Sequence, residues 1–287
     1  MGKILVEGGG AVKKGLIIAI VIFVGILVTL GATQGPDLYR MVKAKDRLNN
    51  GAIAYARGDY DEAIRLFKEA MELYPNMEQA RLYYAAGLFA KFNLTNEKPL
   101  ALEAMRIYED VHQKNPTNAD AIAYLAVIHK HLADMAETEE ERQQHMEKYR
   151  EWTLKRLDVP GLDDKAKAEI YYTLGQGYWQ ESFQITQPYQ VNRPPQPVTW
   201  NVPESEVPKV KALVQKGMEY LNKAVELNPE YGDAWAYINL LYREQAKVEK
   251  DPRVRAELTR LADQARDRAM ELYKRREEQQ KQAQKSS

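Results

Sequence analysis

From Arg47 to Pro75 the small and apolar residues fall at helical spacing in two short runs that turn back on each other. Leu48, Gly51, Ala52 and Tyr55 recur at three and four residues, which lines one face of a first helix with small side chains. Gly58 offers a left-handed turn without steric cost, and Asp59 with Glu62 reads as a capping pair for a second helix. That helix sets Ala63, Phe67 and Ala70 on one stripe before Pro75 stops it.

The pattern recurs along the chain. Tyr83, Ala86, Gly87 and Ala90 mark a second first-helix, and Ala104, Tyr108 and Val111 its partner, closing at Pro116. The turn between these two is widened by NLTNEKPL. Ile122, Leu125, Ala126 and His129 open a third unit, whose charged second helix ends at Val159-Pro160-Gly161. Tyr171, Leu174, Gly175 and Tyr178 open a fourth. Five prolines between residues 183 and 206 interrupt it before Gly217, Leu221, Ala224 and Pro229 resume the stripe. Trp235, Ile238, Asn239 and Tyr242 open a fifth unit, and Tyr242 follows Tyr178 by 64 residues. That interval is one period of about 34 residues plus an insertion of about 30, so the register survives the interruption. A last helix from Pro252 to Arg276 closes the array, and residues 277–287 read as a charged flexible tail.

Gly51, Gly58, Tyr60, Ala63, Phe67, Ala70 and Pro75 stand where the tetratricopeptide repeat family has its signature small, aromatic and proline residues. The chain resembles that family, in a membrane-anchored form of bacterial type. It departs at Arg47, Asn50 and Ala54, which replace the usual large aromatic, leucine and tyrosine. The resemblance implies an all-α solenoid of about five helical hairpins over residues 37–276, wound as a right-handed superhelix. It also implies a groove, lined by the first helices, that holds a protein or peptide partner. On the face beside the signature residues the groove set is Tyr55, Arg81, Tyr84, Lys91, Asp120, Lys130, Tyr172, Gln176 and Trp179. Aromatics there supply apolar area, and Arg81, Lys91 and Lys130 are placed to meet a carboxylate. The lysine and asparagine set with which some members clamp a chaperone's terminal carboxylate is not evident.

A different pattern precedes the repeats. No charge occurs from Gly15 to Pro36, a run of 22 residues, enough to cross a hydrocarbon core of roughly 30 Å as a helix. Residues 15–36 are therefore expected to be one transmembrane helix in contact with the lipid bilayer, after a short tail over residues 1–14. A cleaved signal peptide is the alternative, but the run is long for one and no A-x-A follows it. Lys13 and Lys14 abut the apolar run, which places the N-terminus inside and the soluble domain on the exported side; Arg40, Lys43, Lys45 and Arg47 beyond it weigh the other way.

The formal charge is zero, with 41 basic and 41 acidic residues, so nothing attracts nucleic acid in bulk. There is no cysteine, which removes disulfides and thiolate metal sites. G-x-S-x-G, H-E-x-x-H and a phosphate-cradling glycine loop are also missing, so no catalytic residue, metal, cofactor or small-molecule substrate is expected. His129 and His131 lie two apart on one helix, point to different faces and cannot share a metal ion. The proline-rich insertion at 183–206 reads as a plain loop, a strap folded over the groove or neighbouring units, or an external docking segment. Its Phe183, Tyr189 and Trp200 argue against disorder. The functional expectation is a non-catalytic, membrane-anchored scaffold that binds a protein or peptide partner. A permanent structural subunit of a large membrane complex is the alternative.

Overall fold

The computed structural model describes residues 37–192 and 198–285. They form two compact units, one ending at Pro116 and the other beginning at Thr117. The first contains helices α1 (37–56), α2 (Tyr60–Leu73), α3 (Glu78–Thr95) and α4 (Lys98–Lys114). The second contains α5 (Ala119–Asp134), α6 (Glu139–Lys155), α7 (Asp164–Thr186), α8 (Val207–Leu227), α9 (Gly232–Lys247) and α10 (Pro252–Lys285). Among the described residues the helices pair as consecutive hairpins, the repeat-type all-α arrangement that the sequence predicts.

In the first unit the turn between α1 and α2 is built as the residues dictate. Gly58 takes φ 77°, and the Asp59 carboxylate accepts from the Glu62 N–H at 3.1 Å. Ala63, Phe67 and Ala70 are buried against α1, where Gly51 leaves room: a Cβ there would sit 2.6 Å from Phe67 Cε1. The α3–α4 turn is closed by Asn96 in the left-handed region, φ 57°.

In the second unit Asn118, Thr138 and Asp163 cap α5, α6 and α7 through their side chains. The core joins α7, α8, α9 and α10 through Ala168, Val214, Leu221, Ile238, Leu241 and Ala265. Here the first residues of the insertion, 183–186, continue α7, and the rest of its described part is a tied loop. After α7 a 3₁₀ turn over Gln187–Tyr189 leads to a short antiparallel pairing, with the Asn201 N–H donating to Tyr189 O and the Val191 N–H to Thr199 O, both at 2.9 Å. α10 runs on to Lys285, beyond the boundary expected at Arg276, held by i,i+4 pairs such as Arg275–Glu271 and Lys281–Glu277.

The membrane part of the expectation is corrected. Among the described residues no helix is long and apolar enough to cross a membrane. The longest, α10, carries charge at almost every turn. Residues 15–36, where the transmembrane helix was expected, lie outside the described residues. Over the described residues the fold class is the helical-hairpin solenoid. A bilayer partner, a single-pass location with an exported domain, and a fixed place in a membrane complex have no support in it.

Candidate functional site

The nine residues expected to line a groove divide between the two units. In the first, Tyr55 lies edge-on to Tyr60 with centroids 5.2 Å apart. Arg81 faces Asp110 at 3.7 Å, and Lys91 reaches Asp61 at 2.5 Å. The hydrogen bond to Asp61 raises the Lys91 ammonium above its ordinary pKa, with desolvation opposing it. These two cations already hold carboxylates of their own chain. Tyr84 is turned inward: it is 5% exposed, and its hydroxyl donates to Glu103 Oε1 at 2.6 Å. Burial, then Glu103, raises its pKa.

In the second unit Asp120 is exposed in the first turn of α5, and Lys130 pairs with Asp134 one turn on. Tyr172, Gln176 and Trp179 come together on α7, at three- and four-residue spacing, against α9. Tyr172 lies 5.0 Å from the Tyr231 ring and 5.5 Å from that of Tyr237. The Gln176 amide donates to the Tyr237 hydroxyl at 2.8 Å. Trp179 meets Tyr237 edge-on at 5.2 Å and stacks on Phe183 at 5.3 Å. All are partly exposed, so the first helices α7 and α9 share an aromatic seam at the surface. Burial raises the Tyr172 pKa and, with Glu169 and Asp233, pushes that of Tyr231 up to about 12, so both stay neutral near pH 7.

The insertion supplies the end of this seam. Lys247 of α9 places its ammonium 5.1 Å from the Phe183 centroid and 4.9 Å from that of Trp200. The same ammonium donates to Glu244 Oε1 at 2.6 Å and to Thr186 Oγ1 at 3.1 Å, and the Thr186 hydroxyl donates to Glu244 Oε2 at 2.6 Å. The Lys247 and Glu244 side chains are only 7% and 4% exposed. Sequence reasoning missed Tyr231, Tyr237 and this buried set. Extending the face from α7 to α9 would have found the two tyrosines; nothing local marks Glu244 or Lys247 as buried.

Beside the seam, α5, α6 and α7 enclose a cleft of about 190 Å³, which brings Lys130 and Gln176 to one place. On α5, His129, expected as a packing residue, is buried with its Nδ1 3.0 Å from His145 Nδ1. Burial and then the neighbouring imidazole hold the His129 pKa down to about 4. Among the described residues no group of three or more His, Asp or Glu could hold a metal ion.

A tetratricopeptide repeat family model matches residues 44–77, over the first hairpin. No curated protein matches the chain. The fold is similar to the crystal structure of MamA protein, with a TM-score of 0.51 and 16% identity over 82% of this chain and 94% of that one. A MamA fragment, 41-end, from Desulfovibrio magneticus RS-1 aligns with a TM-score of 0.48 and 18% identity over 81% and 96%. The repeat match over the first hairpin and the likeness of fold agree on an all-α repeat-type fold.

Proposed function

We propose that the chain is a non-catalytic scaffold that holds a protein or peptide partner on the face formed by α7 and α9. The observation that carries the reading is the partly exposed run of Tyr231, Tyr172, Tyr237, Trp179 and Phe183, in which each ring lies within 5.5 Å of the next. Rings locked by their neighbours give contact area at little entropic cost, the property of residues that dominate binding. The repeat fold, which offers its first helices as a docking face, supports the same reading.

Site-specific photo-cross-linking tests it. p-Benzoylphenylalanine in place of Gln176 is expected to give a discrete protein adduct in cells, and the same group in place of exposed Gln215 on α8 to give none. Equal adducts from both positions, or none from Gln176, would overturn the assignment of this face.

A further inference from the structure

Two glycines stand two residues apart on α7, and the fold accounts for only one. A Cβ on Gly175 would lie 2.5 Å from Leu221 Cγ, so packing demands glycine there. A Cβ on Gly177 would meet nothing within 4 Å, and its backbone is ordinary helix. Glycine inside a helix costs about 1 kcal/mol relative to alanine. Among the described residues no contact offsets that cost at Gly177.

Gly177 lies on the wall of the cleft between α5, α6 and α7. Gln180 and Gln184 follow on the same stripe, both exposed and both without a hydrogen-bond partner among the described residues. The charged groups of the cleft are already engaged: Lys130 with Asp134, Arg142 with Glu139, and Glu181 with Arg150. What the cleft leaves open is bare helix backbone and two neutral amides, each able to donate and to accept. The two amides are one turn apart, about 6 Å along the helix. An extended chain presents equivalent main-chain groups every second residue, about 6.7 Å apart.

We infer that this cleft takes an extended, uncharged peptide segment and reads it through its main chain. The segment passes over Gly177, where a side chain would hold it off, and Gln180 and Gln184 each bond a peptide group of it. A charged side chain finds no free counter-ion there, since each candidate is held by an internal pair. The inference rests on the partner-binding reading above and adds the chemistry of the partner.

An array of random decapeptides probed with the 287-residue chain tests it, alongside Gly177→Leu and a Tyr172→Ala/Trp179→Ala double variant. Bound peptides are expected to be depleted in Asp, Glu, Lys and Arg, and to lose at least tenfold in affinity when their central amides are N-methylated. Gly177→Leu is expected to lose at least tenfold as well while melting no lower than the parent, which separates a blocked site from a misfolded one. Binding that needs a charged side chain, survives N-methylation or is unchanged by Gly177→Leu overturns the inference. If such binding is lost only in the Tyr172→Ala/Trp179→Ala variant, the partner-binding reading stands without it. An array with no binder overturns both.

Discussion

Gly175 of α7 is pressed against Leu221 of α8, closely enough that a single methyl on the glycine would fall 2.5 Å from Leu221 Cγ and 3.1 Å from the Gly217 carbonyl oxygen. The side chain can shift; the carbonyl belongs to the helix and cannot do so cheaply. Gly175→Ala is therefore expected to lower stability by about 1–3 kcal/mol, the usual cost of overpacking, despite alanine's better helix propensity. Urea denaturation of the variant beside its parent measures this, and an unchanged midpoint would contradict the close packing.

Tyr84 is turned inward, with its hydroxyl on Glu103. Tyr84→Phe keeps the ring and removes the donor to Glu103, and is expected to cost about 0.5–1.5 kcal/mol. The same variant should leave cross-linking from position 176 unaltered. A loss of adduct without a loss of stability would return Tyr84 to the binding surface.

The buried pair of Lys247 and Glu244 is sensitive to the removal of either partner alone. Lys247→Met leaves the Glu244 carboxylate with only the Thr186 hydroxyl, and about 3–5 kcal/mol of destabilisation is expected. Adding Glu244→Met removes the stranded charge and should recover most of the loss. A double variant as unstable as the single one would mean that packing around the ammonium stem, not charge, sets the cost.

The facing imidazoles of His129 and His145 make the α5–α6 hairpin sensitive to acid. The folded state holds the His129 pKa near 4, below the usual 6.5, so between those values the unfolded chain binds more protons. Stability from the neutral imidazole is thus full above about pH 6.5 and lost as pH falls towards 4, on the order of 3 kcal/mol in all. Glu139, held down to about 2 by hydrogen bonds from Arg142 and Gln143, loses its contribution below about 4.5, in a lower window. His129→Asn should flatten the upper window and leave the lower one. A profile flat from pH 6.5 to 4 in the parent would sink the prediction.

The hairpins were legible because their signals are local. Gly51, Ala63, Phe67 and Ala70 recur at spacings that only a pair of closely packed helices satisfies, and they meet as expected. Tyr172, Gln176 and Trp179 were legible for the same reason, since one register places all three on the face towards α9. Adjacent Tyr83 and Tyr84 were harder. Successive helical residues differ by about 100°, so a small error in the register exchanges which one is buried. Tyr83 is 36% exposed and meets Phe67, while Tyr84 is the inward one. The insertion was the least legible part. Trp200 is held by Lys247, and Thr186 by Glu244, across separations of 47 and 58 residues that no periodicity connects.

The backbone rung from Asn201 to Tyr189 closes that insertion at its base. Chain spliced in beyond such a rung adds a closure entropy that grows only with the logarithm of its length, about 0.6 kcal/mol per doubling. The hairpin of α7 and α8 is thus a socket that keeps Trp200 seated on Lys247, while the cost of lengthening the chain between Val191 and Thr199 stays small.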